Sequence, residues 1–136
     1  MTAPNDTLAA AHASWNAGDL DGYLELYDEG IRLHGYSPEA MGKAEVRGFD
    51  EAIFAAFDSP QLEFHEVLWD GAACSIRFTM TGRHVGAFMG VPATGNDIAL
   101  PGITILHFAG DRVAERFSQA DMLGLMVQMG AIPAPA

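Results

Sequence analysis

Through residue 58 the apolar residues recur mostly at helical spacing, and after that they fall at every second position. Leu8, His12 and Trp15 share one face behind Asn5, Asp6 and Thr7, which offer a helix cap, and Gly18 ends that helix. Asp19 can cap a second helix, with Leu20, Tyr23, Leu24 and Tyr27 at i, i+3, i+4 and i+7 and Gly30 closing it. A short strand follows from Ile31 to Tyr36, then a loop-like stretch from Ser37 to Gly48. Asp50 reads as the cap of a third helix. Phe49 and Phe54 flank it as a hydrophobic staple, Phe57 extends the apolar stripe, and Asp58-Ser59-Pro60 stops it.

Beyond that stop the period is two. Gln61 to Trp69 and Ala72 to His84 read as strands joined at Asp70-Gly71, a strong hairpin dipeptide. Cys74, Ile76, Phe78, Met80 and His84 share one face of the second strand, and Ser75, Arg77, Thr79, Thr81 and Arg83 share the other, so one face is dry and one wet. Val85 to Asp97 is an excursion carrying Phe88 and Met89. Ile98 to Ala109 and Arg112 to Asp121 form a second hairpin around Gly110-Asp111. A plain two-residue turn pairs Phe108 with Val113, Leu106 with Glu115 and Thr104 with Phe117, with Leu100 and Asp121 on that same face. Met122 to Met129 closes the chain as a helix ended by Gly130, and residues 130–136 read as a loose tail. Helices first and antiparallel hairpins afterwards predict an α+β domain with its helices on one face of the sheet.

A chain of 136 residues fits one domain spanning 1–136. Cys74 stands alone, so no intrachain disulfide can form, which agrees with a reducing compartment. The start, MTAPNDTLAA, lacks the basic and apolar regions of a secretory signal, and no apolar run approaches a membrane span; the expected location is cytoplasmic. The formal charge of −11 argues against nucleic acid and anionic membrane as partners.

The chain has no dinucleotide, phosphate-loop, zinc-protease, paired-cysteine or nucleophile-elbow motif. Five scattered histidines do not define a metal site. Neither a metal nor a cofactor is expected, and any catalysis falls to side-chain acids and bases in a shaped cavity. Asp121, at the junction of a strand and a helix, is the first candidate. It reads either as an N-cap or as a carboxylate at the mouth of an apolar pocket, where burial would raise its pKa. His84 closes an apolar face, as a core residue or as a proton-exchanging group. Thr104 and Glu115 share the predicted face of Asp121. His107, Ile103, Ile105, Arg116 and Ser118 fall on the opposite, half-apolar face, which resembles a subunit interface. Trp15, Tyr27, Phe54, Phe57, Phe78, Phe88, Met89, Thr104, Phe117 and Met122 are the candidates to line a pocket for a small apolar molecule.

Residues 79–95, TMTGRHVGAFMGVPATG, and 102–133, GITILHFAGDRVAERFSQADMLGLMVQMGAIP, resemble the SnoaL-like polyketide cyclase (ester cyclase) family. Residues 15–35 fit the same pattern. The resemblance implies the nuclear-transport-factor-like cone: a strongly curved mixed or antiparallel sheet wrapped by three helices around an internal pocket. It implies a homodimer or higher oligomer built through the outer sheet face. It also implies cofactor-free ring closure by intramolecular aldol condensation, with a carboxylate on the last strand as acid/base and a histidine on the strand before. Those two positions fall on Ser118 and Thr104, neither of which is an acid or base near neutral pH. The plain hairpin register sets Thr104 and Ser118 on opposite faces, which either a bulge or a slip in the placement of the family pattern would explain. The expectation is a cyclase or isomerase using Asp121 and His84. The alternatives are a protein that binds a small molecule without changing it, and an epoxide hydrolase, which would want an Asp-Arg-Asp arrangement.

Overall fold

The structure is a computed structural model describing residues 3–134. The chain runs through α1 (Pro4–Asn16), α2 (Leu20–Leu24), β1 (Tyr27–His34), α3 (Lys43–Ala56), β2 (Phe57–Asp70), β3 (Ala73–His84), β4 (Asp97–Ala109), β5 (Arg112–Ala120) and α4 (Met122–Gln128). The five strands form one sheet in the order β1-β5-β4-β3-β2, with β1 parallel to β5 and the other neighbours antiparallel. This is the expected α+β class. The core lies between the inner sheet face and the helices, where Leu8, Trp15, Val46, Ile76, Leu106 and Leu125 are all buried. No helix among the described residues is long and apolar enough to cross a membrane. Residues 131–134 of the tail are exposed, and 135–136 lie outside the described residues.

Four local differences from the sequence-based expectation shape the site. First, α1 starts at Pro4, whose missing N–H and fixed φ suit the first helical position, and no side chain of Asn5, Asp6 or Thr7 caps it. Second, the α2 cap is as expected, with Asp19 accepting from Gly22 N at 2.9 Å, but the helix stops at Leu24. Tyr27 opens β1 instead, because the chain there pairs with β5 through Val113 N donating to the Leu26 carbonyl at 2.8 Å. Tertiary pairing overrides a good helical period.

Third, α3 begins at Lys43 after Gly42, without a side-chain cap, so Asp50 is not a cap. It sits two turns inside the helix, on the buried stripe of Val46 and Ile53. Fourth, the β4–β5 hairpin keeps its turn, Ala109 opposite Arg112 and Phe108 opposite Val113, but then slips by one. Ala114 is the extra residue of a bulge, so His107 pairs Glu115, Leu106 pairs Arg116 and Thr104 pairs Ser118. Since side chains alternate along a strand, one inserted residue exchanges the two faces of β5. Arg116 and Ser118 turn inward, and Phe117 turns outward.

Gly35, just past β1, has φ +96° and packs against β5, where a Cβ would overlap the Ser118 carbonyl oxygen. Only glycine suits both constraints. Gly35→Ala is expected to destabilise the fold by about 2 kcal/mol or more in urea unfolding. Unchanged stability would contradict this close approach of the chain after β1 to β5.

Candidate functional site

The inner sheet face and the helices enclose a mostly apolar cavity of about 250 Å³. Its apolar wall includes Trp15, Phe57, Phe78, Met80, Phe88, Leu100, Met122 and Leu125. Its polar end is built from Asp50, Arg116, Tyr23, Tyr36 and Ser118.

Arg116 organises that end. Its Nε donates to Thr104 Oγ1 at 2.9 Å and to Ser118 Oγ at 3.1 Å. Its Nη1 donates to the hydroxyls of Tyr23 at 2.8 Å and Tyr27 at 2.6 Å. Thr104 in turn donates to the Phe117 carbonyl at 3.0 Å, which leaves Ser118 to donate to Thr104 across 2.8 Å. Four elements therefore converge on one guanidinium: α2, β1, β4 and β5. Burial works against its charge, but the electrostatic pull of Tyr23, Tyr27 and Tyr36 outweighs burial and Arg116 stays a cation. Burial also pushes the Tyr27 and Tyr36 hydroxyls above their ordinary range, against the lowering effect of Arg116.

Asp50 is the carboxyl of the cavity. It is 5% exposed, and its Oδ2 is buried without a hydrogen-bond partner. Burial pushes its pKa from 3.8 up to about 7, against the lowering pull of Arg116. A carboxyl in that condition exchanges protons near neutral pH.

The residues singled out from the sequence divide. Trp15, Phe57, Phe78, Phe88, Met89 and Met122 line the cavity. Tyr27 and Thr104 stand behind its polar end and reach it through Arg116. Phe54 packs on Trp15, ring centroids 4.6 Å apart, and borders a separate surface groove. Phe117 is 42% exposed on the outer face, stacked on His34 at 4.6 Å, because the Ala114 bulge turned it out. Asp121 is exposed and serves as the N-cap of α4, accepting from Gly124 N at 2.8 Å. It does not reach the cavity, since its strand ends at Ala120 and its carboxylate is held at the helix start. His84 is wholly buried and bonded through Nδ1 to Thr94 Oγ1 at 3.0 Å. It packs on Phe57, ring centroids 5.5 Å apart, and is not among the residues that line the cavity.

Sequence reasoning missed Asp50 and placed Arg116 on the wrong face. The signal for Asp50 was present: a carboxylate on the apolar stripe of Val46, Ile53 and Phe57. Assigning it as a cap hid it. Arg116 had one indirect signal, the family pattern at Thr104 and Ser118, which the plain hairpin register sets on opposite faces and a bulge brings together; nothing in the sequence places that bulge at Ala114.

The fold and this cavity define an α+β cone protein with a small-molecule-sized pocket. Residues 5–129 match the SnoaL-like polyketide cyclase family, and the chain belongs to it. A curated relative is the aklanonic acid methyl ester cyclase DnrD of Streptomyces peucetius, 26% identical over 138 residues, covering 96% of this chain and 92% of that protein. The crystal structure of AclR from Streptomyces galilaeus, provisionally assigned as a hydroxylase, superposes with a TM-score of 0.88 at 27% identity, over 98% of this chain and 84% of that one. A provisionally assigned SnoaL-like polyketide cyclase from Jannaschia sp. CCS1 gives 0.83 at 25% identity, over 96% and 93% of the two chains.

The raised Asp50 pKa is a statement about stability. An acid that is harder to ionise when folded adds stability below its unfolded pKa, and loses it as pH climbs to the folded one. The window is therefore about pH 3.8 to 7. Asp50→Asn removes the charge-burial penalty. Its stability relative to the parent protein is expected to rise by about 2–4 kcal/mol between pH 4 and pH 8 in chemical unfolding. A difference that does not vary with pH would contradict the burial of this carboxyl.

Proposed function

We propose that this protein is an enzyme that moves a proton on a largely apolar carbonyl compound, a cyclase or related isomerase, with Asp50 as acid/base. The observation that supports it is the placement of one carboxyl, titrating near neutral pH, in the wall of an apolar cavity whose polar end is an arginine.

The chemistry balances with side chains of this chain alone. Ionised Asp50 takes a proton from the carbon beside a carbonyl, and the negative charge moves to the carbonyl oxygen, where the Arg116 cation opposes it. The enolate carbon then attacks a second carbonyl of the same molecule, forming a carbon–carbon bond. Asp50 returns its proton to the new alkoxide. Such an acid/base contributes about 10²–10⁴-fold, and the rest falls to orientation in the cavity. Membership in a polyketide cyclase family supports ring closure over other proton transfers.

The epoxide-hydrolase alternative wants two carboxylates flanking an arginine. Asp50 and Arg116 face the cavity, but no second Asp or Glu lines it among the described residues. The non-catalytic binding alternative draws on Thr104 and Ser118, which serve the guanidinium instead of moving protons.

The test is incubation with aklanonic acid methyl ester, the compound in the name of the Streptomyces peucetius relative, and with a set of aromatic β-keto esters. Ring closure appears as a chromatographic shift at unchanged mass. Asp50→Asn is expected to slow it by about 10²–10⁴-fold, and Asp121→Ala to leave it unchanged while weakening the fold by about 1 kcal/mol through the lost cap. Compounds bound but recovered unaltered would replace the enzyme reading with the binding one. Full activity in Asp50→Asn would remove Asp50 from the chemistry.

A further inference from the structure

The polar end of the cavity holds a cation and an acid that do not close on each other. Arg116 commits Nε and Nη1 to four hydroxyl oxygens, all of them neutral. Its Nη2 has no hydrogen-bond partner among the described residues, Arg116 lines the cavity, and the guanidinium lies over the Tyr36 ring, 6.0 Å from its carbon to the ring centroid. The ion pairs of the described residues all lie elsewhere, at His34–Glu115, Lys43–Glu29, Arg47–Asp21, His65–Glu63, Arg77–Glu66 and Arg112–Glu25. Asp50 is likewise unengaged, with Oδ2 buried and unbonded.

A guanidinium taken out of water recovers most solvation energy from an anion in hydrogen-bonding contact, and the protein supplies four neutral hydroxyls and the face of the Tyr36 ring. Asp50 offsets the loss only from a distance, and near neutral pH it is ionised for part of the time. The unbonded Nη2 of Arg116 is thus the one place in this apolar wall where an anionic oxygen gains more than a neutral one.

We infer that the cavity takes its ligand as an anion, a flat apolar body whose carboxylate or equally acidic enol oxygen sits on the unbonded Nη2 of Arg116; where that oxygen is the ionised enol of the proposed substrate, the proton it has lost is the one Asp50 carries and returns to the alkoxide. The inference rests on the cavity being the substrate site, and it specifies that site: the negative charge is recognised in the ground state and does not arise only during reaction. The titratable groups facing Asp50 are Arg116 from β5, Tyr27 from β1 and Tyr36 just beyond β1, with Tyr23 of α2 on the same cavity. Burial holds Tyr27 and Tyr36 well outside the neutral range, so the linked proton belongs to Asp50.

Calorimetric binding of four two-ring probes tests this and separates the two anion sources. The anions are 2-naphthoate and ionised 2-hydroxy-1,4-naphthoquinone, and the neutral partners are methyl 2-naphthoate and 2-methoxy-1,4-naphthoquinone. At pH 6 at least one anion is expected to bind tenfold or more tighter than its methylated partner. Its affinity is expected to fall about tenfold from pH 6 to pH 8, following the protonated fraction of a group titrating near 7. Asp50→Asn should bind the anion with no such pH dependence. Arg116→Gln, where circular dichroism shows it folded, should lose the preference for the anion. Methylated probes binding as tightly as the anions, or anion binding that is level with pH in the parent protein, would overturn the inference and leave the cavity reading standing. Failure of all four probes to bind would overturn both.

Discussion

The structure turns on one buried guanidinium. Arg116 reaches the inside of the sheet only because Ala114 is inserted opposite the His107–Phe108 step, and once inside it must be solvated by protein. Tyr23, Tyr27, Thr104 and Ser118 do this, and they come from four separate elements. Hydrogen bonds to a charged group contribute about 1.5–3 kcal/mol each, so the cluster ties α2, β1, β4 and β5 together at the base of the cavity. It also fixes the polarity of the pocket, because the remaining lining is largely aromatic and aliphatic.

That cluster accounts for a departure from the family's chemistry. The resemblance implies a carboxylate and a histidine where this chain has Ser118 and Thr104. The two residues face each other across β4 and β5, Oγ to Oγ1 at 2.8 Å. Their hydroxyls are occupied with Arg116. The carboxyl that the cavity does have enters from the opposite layer, on α3, where burial gives it the pKa that proton transfer near neutral pH requires. In the proposed reaction the ionisable groups sit elsewhere on the same scaffold, and one fold can host different chemistries in that way.

Much of the fold was legible. The dry face of β3, from Cys74 to His84, the turn at Gly110-Asp111 and the caps at Asp19 and Asp121 follow from alternation, turn chemistry and short polar side chains, all local effects. The pocket wall was partly legible for the same reason: Phe78 lies in β3 on the face its alternation predicts and Met122 opens the closing helix, while Phe57 lines the pocket as the first residue of β2 and not from the helical stripe it extends in sequence. What was not legible depends on contacts distant in sequence. Tyr27 is drawn from a helical period into β1 by pairing with a strand more than 80 residues later. Phe117 and Arg116 exchange faces through a single-residue bulge that no propensity announces. Asp50 was misread for a different reason. An aspartate between two phenylalanines has the appearance of a cap, and only the true start of α3 at Lys43 reveals it as a carboxyl forced into the interior.

Asp50 and Arg116 face one cavity without forming an ion pair, which leaves a desolvated carboxyl near an unpaired cation, and the proposed chemistry depends on that arrangement. A carbon-13 NMR titration of the aspartate side-chain carboxyl carbons, assigned through the loss of one resonance in Asp50→Asn, measures it directly. A midpoint near pH 7 is expected for Asp50. A midpoint at or below about 4, the ordinary aspartate value, would show the carboxyl to be solvated or paired and would contradict the arrangement.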